Sequence, residues 1–308
     1  MKIGTIDIGT NSMRLLVAIY ENGKIINRKK YVNTTRIGQG VDDKGYISKE
    51  AIDRNIQALK EFKIICDEEN CEYIYCMGTS ALRDSKNSSE FIELAKKETN
   101  INVEVITGES ESNLGFLGVL EGVEGDNDEE ILVIDIGGGS TEFIVGDREG
   151  VKFCKSENIG ALRLTEKFLK TEIVSDDELK STIDFINETI ENTINIVKER
   201  NIKKLVGIGG TITSVSAINQ KLEIYSMEKI HNSKICKKEV DEILQMLKNM
   251  TLEDKKTLNG LQPKRADIIT AGVVILDIIM EKLELSEIIV SEYDNLEGLM
   301  CKMARKMS

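Results

Sequence analysis

Two short stretches of the sequence place an aspartate at the end of an apolar run, directly before glycines and small hydroxyl residues. They read IGTIDIGTNSM around Asp7 and VIDIGGGST around Asp135. Glycines expose backbone N–H groups, and consecutive amides of this kind bind phosphate oxygens, to which serine and threonine hydroxyls add donors. A carboxylate beside a phosphate needs a cation between them, so each aspartate is a candidate Mg²⁺ ligand. The two stretches therefore predict metal-assisted binding of a phosphate chain.

Repetition is what strengthens this prediction. A glycine-rich turn after a strand is also common in β-hairpins, so either stretch alone is a weak signal. The same offset of 128 residues, however, separates Asp7 from Asp135 and Ser12 from Ser140. A further glycine turn, GIGGTIT at 207–213, has its counterpart in CMGTSAL at 76–82. The sequence contains no GxxxxGK[ST] pattern, so a Walker-type loop is not predicted.

The elements that must position these turns repeat as well. Each half reads as three strands, a long amphipathic helix, a strand and further helices, and the long helices are predicted at 49–69 and 176–200. This pattern predicts two duplicated α/β domains, each with a mixed sheet, facing a cleft between them. We assign residues 1–122 and 123–291 to the two domains, with an acidic linker at 121–130. An amphipathic helix at about 292–308 can pack on either domain, and we assign it to the first.

Composition narrows the chemistry further. The net charge of −12 argues against broad binding to nucleic acid or anionic lipid, and no apolar run is long enough to span a bilayer. The N-terminus does not resemble a signal peptide, so a cytoplasmic location is the expectation. The six cysteines form no CxxC pair and are expected to be reduced, and with one histidine, zinc or histidine-based catalysis is not predicted. That histidine, His231, is expected in a surface or half-buried strand with no functional role.

The two aspartate loops, the duplicated halves and the third glycine turn resemble the actin, Hsp70 and sugar-kinase superfamily. Within it, the chain is similar to the exopolyphosphatase and guanosine pentaphosphate phosphohydrolase family, Ppx/GppA. The matching segments run along most of the chain and include TRIGQGVDDKGYIS, GTSALRDSKN, VITGESESNLGFLGV, IGALRLTEKF and KRADIITAGVVIL. The resemblance implies two actin-like (ribonuclease H-like) domains. It also implies Mg²⁺- or Mn²⁺-dependent hydrolysis of the terminal phosphoanhydride of polyphosphate or guanosine pentaphosphate (pppGpp).

The resemblance also assigns roles to single residues. It implies that Glu111 positions or deprotonates the attacking water, with Glu109 as the alternative because Ser110 and Ser112 depart from the family pattern. Asn87 is expected to brace the turn that carries Arg83. A second departure lies at 294–298, where the family's GLREG reads DNLEG and lacks its arginine.

The remaining assignments follow from charge and position. Asp135 and Glu142 are the expected metal pair, with Asp7 as a further ligand, although Glu142 can equally be an exposed strand residue. Lys264 and Arg265 are candidates for the far end of the channel, against a nucleotide base. The predicted phosphate-binding residues lie in the glycine turns or just after them: Thr10, Asn11, Ser12, Arg14, Arg83, Gly137, Gly138, Gly139, Ser140, Thr141, Gly209, Gly210 and Thr211.

These observations predict a hydrolase that releases orthophosphate from polyphosphate, from pppGpp or from both, with no nucleic-acid or membrane partner. Two alternatives are a kinase or ATPase of the same superfamily and a non-catalytic sensor of polyphosphate or of guanosine penta- and tetraphosphate. The sequence does not distinguish the two substrates, because both present the same terminal phosphoanhydride. A homodimer is expected only by analogy.

Overall fold

The computed structural model describes residues 1–123, 129–200, 202 and 204–307. The chain forms two compact units. Unit 1 comprises Met1–Glu121 and Asp294–Ser308, and unit 2 comprises Gly122–Tyr293. Residues 124–128 of the predicted linker lie outside the described residues.

Unit 1 is built on a five-stranded mixed sheet with the order β3-β2-β1-β4-β5. The first three strands pair antiparallel, whereas β1, β4 and β5 run parallel. The strands are β1 (Lys2–Ile8), β2 (Met13–Glu21), β3 (Lys24–Asn33), β4 (Tyr73–Gly78) and β5 (Val103–Val105). The helices are α1 (Val41–Lys44), α2 (Lys49–Glu68), α3 (Ser80–Asp84), α4 (Ser88–Thr99), α5 (Gly108–Gly122) and the C-terminal helix (Asn295–Met307).

Unit 2 contains a six-stranded mixed sheet with the order β10-β11-β9-β6-β7-β8. Its strands are β6 (Ile131–Ile136), β7 (Thr141–Asp147), β8 (Gly150–Glu157), β9 (Leu205–Ile208), β10 (Lys234–Cys236) and β11 (Glu287–Val290). The helices are α6 (Ala161–Phe168), α7 (Asp176–Glu199), α8 (Gly209–Asn219), α9 (Met227–Ile230), α10 (Lys237–Lys248), α11 (Leu252–Lys256) and α12 (Ile269–Lys282), with a 3₁₀ turn at Pro263–Arg265.

The two sheets share one topology, which confirms the predicted duplication and the α/β fold class. The order β3-β2-β1-β4-β5 of unit 1 recurs in unit 2 as β8-β7-β6-β9-β11, with β10 added at the edge. In each unit the three parallel strands end at the same edge of the sheet, where ligand-binding loops of open α/β sheets usually lie. The predicted phosphate loops and turns follow these strand ends.

The long helices begin where local capping chemistry dictates. Ser48 accepts a hydrogen bond from the Ala51 amide at the start of α2, and Ser175 forms a capping box with Glu178 at the start of α7. Both helices end one residue before the predicted bounds. Each packs an apolar stripe on its own sheet, and these stripes form the two largest hydrophobic cores.

The C-terminal helix lies in unit 1, against the first two strands. Its buried residues Leu296, Met300 and Ala304 pack with Ile3 and Leu16. Leu296 stands where the related motif has its arginine, and it is fully buried. At this position the sequence therefore provides core packing in place of a cation.

The prediction of a strand around His231 is wrong. Residues 227–230 form the short helix α9, which Ser226 begins by accepting a hydrogen bond from the Lys229 amide. His231 ends that helix and is half-buried, three residues before β10. The alternating polarity of this segment arises from one helical turn followed by a short strand. Across the described ranges, no helix combines the length and hydropathy needed to cross a membrane.

Candidate active site

The loop after β1, residues 9–12, is fixed by its own backbone. The Gly9 amide donates to the Ser12 carbonyl at 3.1 Å, and the Thr10 carbonyl accepts from the Gly38 amide at 3.0 Å. A Cβ atom on Gly38 would lie 2.2 Å from Cγ2 of Thr10, so Gly38 packs directly on this loop. Within the described part of the chain, the amides of Thr10 and Asn11 have no hydrogen-bond acceptor.

The loop after β6, residues 137–140, repeats this arrangement. The Gly137 amide donates to the Ser140 carbonyl at 3.0 Å, and the Gly138 carbonyl accepts from the Leu162 amide at 2.9 Å. A Cβ atom on Gly160 would lie 2.4 Å from the Gly138 carbonyl, so only glycine fits there. The loop carbonyls thus face α6, while the amides of Gly138 and Gly139 find no acceptor among the residues described. Two such neighbouring amides can donate hydrogen bonds to a phosphate oxygen.

Two predicted phosphate contacts have other partners in these loops. Thr141 is fully buried, and its hydroxyl donates to the Ile159 carbonyl at 2.7 Å. Asn11 donates to the Ser12 hydroxyl at 3.1 Å. Sequence reasoning did not single out Arg163, whose Nε donates to the Gly139 carbonyl at 2.7 Å. The position of Arg163 in the segment IGALRLTEKF, just after Gly160, is the sequence feature that could have identified it.

The two hairpins differ in the residue that faces the aspartate. In unit 1, Asp7 pairs with Arg14 across β1 and β2, and an oxygen of its carboxylate lies 2.5 Å from the guanidinium. Arg14 also contacts Asp294, at 2.6 Å, so both carboxylates share one cation. Burial raises the pKa of Asp7, although Arg14 opposes that shift. The other oxygen of Asp7, Oδ1, is buried and has no hydrogen-bond partner among the described residues.

In unit 2, the corresponding position is acidic. Asp135 pairs with Glu142 across β6 and β7, and both side chains are buried. The Ser156 hydroxyl donates to Glu142 at 2.7 Å. Glu142 is therefore not the exposed strand residue that the sequence left as an alternative.

This donor set fits a divalent cation. Two buried carboxylates face one another in register, and a hard cation such as Mg²⁺ prefers oxygen ligands and keeps several waters, so few protein ligands are needed. The described residues contain no group of three or more histidine, cysteine or acidic side chains arranged for a metal. A cation at Asp135 and Glu142 would depend on water and phosphate oxygens for its remaining ligands.

Glu111 lies at the start of α5, beside the end of β5. It is buried, and its Oε2 lies 3.2 Å from the guanidinium of Arg83. Arg83 follows β4 in α3 and also donates to the Ile106 carbonyl at 3.0 Å. The fold thus brings Glu111 and Arg83 to the same sheet edge as the loop at 9–12. The Asn87 side chain exchanges hydrogen bonds with the backbone of Ile47, at 2.8 and 3.0 Å, and the described residues show no hydrogen bond between Asn87 and Arg83.

The third glycine turn, residues 209–211, starts α8. Gly209 has φ +84°, and a Cβ atom there would lie 2.2 Å from Oδ1 of Asp135. A Cβ atom on Gly210 would lie 2.2 Å from the guanidinium of Arg265. The turn is therefore packed between the predicted metal ligand Asp135 and Arg265. Lys264, by contrast, is exposed.

The segment at 294–298 carries charges that sequence reasoning did not assign. Asp294 caps the C-terminal helix, since Oδ1 accepts from the Leu296 amide at 3.0 Å and its own amide donates to Glu297 at 3.0 Å. Glu297 is fully buried and lies 2.5 Å from Arg28 and 3.0 Å from Lys30. Although burial opposes the shift, Arg14 and Lys30 lower the pKa of Asp294. These ion pairs join residues far apart in sequence, so no local sequence pattern predicted them.

Comparison with known proteins agrees with this geometry. The family model of the Ppx/GppA phosphatase family matches residues 16–307. Exopolyphosphatase 2 of Mycobacterium tuberculosis is 31% identical over 98% of both chains. A crystal structure of the Aquifex aeolicus Ppx/GppA family member has a TM-score of 0.82 at 31% identity, covering 100% of this chain and 99% of that one.

A second relative contains a similar sequence within a larger protein. The bifunctional 3-dehydroquinate synthase/phosphatase of Fusobacterium nucleatum is 38% identical over 96% of this chain, but this chain spans only 45% of that protein. The match of the family model to nearly the whole chain, together with the full-length relative, settles the family. This chain belongs to the Ppx/GppA phosphatase family, with the duplicated actin-like fold of its solved members.

Proposed function

We propose that this protein is a metal-dependent phosphoanhydride hydrolase that removes the terminal phosphate of inorganic polyphosphate as orthophosphate. The observation that carries the proposal is Glu111, a carboxylate only 7% exposed and held by Arg83 at the sheet edge where the loop at 9–12 emerges. The name of the full-length relative, exopolyphosphatase, supports the choice of substrate.

In this proposal Glu111 orients the attacking water and accepts its proton. Phosphoryl transfer needs little covalent chemistry from the protein, so positioning of the nucleophile and neutralisation of charge dominate. The ion pair with Arg83 fixes the position of the carboxylate, and a base must be positioned against the water that it deprotonates. Glu109, the alternative, is exposed on the same helical turn, which favours Glu111.

The loops at 9–12 and 137–140 bind phosphate oxygens in this proposal. Their amides at Thr10, Asn11, Gly138 and Gly139 supply donors whose geometry is fixed by the hydrogen bonds behind each loop. Preorganised donors of this kind need no rearrangement when charge develops on the transferred phosphoryl group.

Asp135 and Glu142 would hold a cation in unit 2. In unit 1, Oδ1 of Asp7, which has no hydrogen-bond partner among the described residues, is a further acceptor. A bound Mg²⁺ or Mn²⁺ supplies charge neutralisation on the phosphate oxygens. Without such neutralisation, a protein of net charge −12 with the buried carboxylates of Asp7, Asp135 and Glu142 near its phosphate loops would repel a polyanion.

We propose pppGpp as a second substrate. The specific observation that favours it is Arg265, whose guanidinium packs on Gly210 beside the third glycine turn and adds a cation on unit 2. A guanidinium can pair with a phosphate or stack on a base. Contacts of this kind, away from the scissile bond, are what would distinguish a nucleotide from a plain phosphate chain.

Orthophosphate release from polyphosphate, pppGpp and ATP, each with Mg²⁺, tests the proposal. We expect turnover of polyphosphate at a kcat/KM at least about tenfold above that of ATP, with measurable release from pppGpp. Preferential hydrolysis of ATP would favour the ATPase alternative. Tight binding of polyphosphate or pppGpp without release of phosphate would favour the sensor alternative.

A further inference from the structure

The end of helix α2 places two cysteines of unit 1 side by side. The helix closes with Asn70 at φ +55°, and the Asn70 amide donates to the Asp67 carbonyl at 3.0 Å. The Cys71 amide donates to the Cys66 carbonyl at 2.9 Å. These two bonds form a Schellman motif, in which the side chains of the two outer residues commonly make an apolar contact. In this chain both of those residues are cysteines.

Both sulfur atoms lie against Gly4 of β1. A Cβ atom on Gly4 would lie 2.7 Å from Sγ of Cys66 and 3.6 Å from Sγ of Cys71, so the glycine leaves room for the two thiols. With standard bond lengths, the bond between the Cys71 amide and the Cys66 carbonyl keeps the two Cα atoms within about 6.8 Å, a separation that a disulfide can span. Rotation of the two side chains can therefore bring the sulfur atoms together.

The start of β1 holds the backbone around Cys71. The Glu72 amide donates to the Lys2 carbonyl at 2.8 Å, and the Lys2 amide donates to the Glu72 carboxylate at 2.8 Å. The Lys2 ammonium lies 2.6 Å from the carboxylate of Glu69. These contacts keep Cys71 beside Gly4 in the reduced chain, so the pair of thiols is formed by the fold itself.

The neighbouring thiols differ in access to solvent. Cys66 is fully buried, whereas Cys71 is half-buried, and both are free thiols. Cys76, which continues the same five-residue spacing, lies within β4, and burial raises the pKa of its thiol. Because a thiolate reacts only where a reagent reaches it, Cys71 is the thiol that an oxidant meets first.

We propose that Cys66 and Cys71 form a redox-active dithiol that a hydroperoxide oxidises to a disulfide. The Cys71 thiolate attacks one oxygen of hydrogen peroxide, the O–O bond breaks, and Cys71 becomes a sulfenic acid while the leaving hydroxide takes up the thiol proton as water. The Cys66 thiol then attacks the sulfenic sulfur, which forms the S–S bond and releases a second water. The two thiols lose two electrons, and the peroxide gains them. This inference does not depend on the proposed function.

Mass spectrometry of the whole chain after treatment with hydrogen peroxide tests the proposal. No lysine or arginine lies between Lys63 and Arg83, so trypsin leaves all three cysteines in one peptide, and cleavage at the glutamates that separate them identifies the pair. We expect a cross-link between Cys66 and Cys71 that forms at least about tenfold faster than Cys76 is oxidised. Dithiothreitol should restore both thiols.

Single variants test the order of the two steps. Cys66→Ala leaves Cys71 without a partner thiol, so we expect a sulfenic acid at Cys71 that dimedone traps. In Cys71→Ser, Cys66 should stay reduced because it is buried. Cys236→Ser replaces an exposed thiol of unit 2 and is the control, which should form the cross-link at the wild-type rate.

Two results would overturn the proposal. One is that Cys66 and Cys71 of the wild type both remain open to alkylation at a peroxide concentration that oxidises Cys236. The other is a cross-link that contains Cys76 in place of Cys66. Both results are read from the wild-type chain, so they decide the proposal even if a variant fails to fold.

Discussion

Asp135 lies directly opposite Glu142 in the antiparallel pair of β6 and β7, at the register position where β1 and β2 place Asp7 opposite Arg14. One duplicated hairpin thus presents two carboxylates, and the other presents a carboxylate neutralised by a guanidinium. Duplication followed by one change of charge is sufficient to give the two units different chemistry. The acidic hairpin offers two carboxylates to a cation, and the mixed hairpin offers one, which already pairs with Arg14.

Glu142→Gln should therefore weaken the metal site. The variant keeps the shape of the side chain and the hydrogen bond from Ser156 but removes one of two facing charges. We expect the Mg²⁺ concentration for half-maximal phosphate release to rise at least about tenfold. Calorimetric titration with Mn²⁺ supplies a measurement independent of turnover. Glu149→Gln, at an exposed side chain of the β7–β8 turn, is the matched control, and equal metal dependence in the two variants would count against the site.

Adjacent alanine substitutions in the third glycine turn should have different effects. Gly209→Ala forces a positive φ on a residue with a side chain and pushes against Asp135, so we expect a loss of about 1–3 kcal/mol in the free energy of unfolding and weaker metal binding. Gly210→Ala meets the mobile end of Arg265, so stability should stay near that of the wild type while KM for pppGpp rises. Thermal unfolding and steady-state kinetics check both, and equal stabilities would show that the turn tolerates a side chain.

Asp294→Asn should lower the free energy of unfolding by the part that depends on the ionised carboxylate of Asp294. Asp294 has its pKa lowered in the fold by Arg14 and Lys30, so its charge stabilises the protein above the ordinary aspartate value of 3.8, and that stability is lost as the pH falls below it. At pH 7 we expect the variant to lose about 3 kcal/mol in the free energy of unfolding, since a buried pair is broken. Urea unfolding from pH 7 to pH 3 measures this loss.

The difference between Asp294→Asn and the wild type should shrink as the pH falls below about 4. Asp67→Asn is the control, because the ion pair of Asp67 with Lys63 lies on the surface and should contribute less than about 1 kcal/mol. A difference between Asp294→Asn and the wild type that is constant over this range would mean that the ion pair is not its source.

The sequence predicted the elements whose causes are local. Turn glycines predicted the loops at 9–12 and 137–140, and periodic apolar residues predicted helices α2 and α7, which end one residue before the predicted bounds. Repetition at a constant offset supplied the duplicated sheet order, because both halves carry the same strand and turn signals.

What the sequence did not predict depends on contacts between distant residues. The pairing of Arg14 with Asp294 spans 280 positions, and no periodicity encodes it. The position of Glu142 inside the sheet followed from its register, which an isolated strand pattern leaves open. The segment around His231 was wrongly predicted as a strand because one helical turn followed by a three-residue strand gives a similar alternation of polar and apolar residues. Its contacts with Gly122 and Glu292 appear only in the folded chain.

The role of Glu111 as the base is the central claim, and orthophosphate release by Glu111→Gln compared with Glu109→Gln tests it most directly. Both substitutions remove one carboxylate from the first turn of α5, but only Glu111 is buried against Arg83. The claim predicts a fall in kcat on polyphosphate of at least about a hundredfold for Glu111→Gln. It predicts near wild-type kcat for Glu109→Gln. Full activity in Glu111→Gln, or the larger loss in Glu109→Gln, would contradict it.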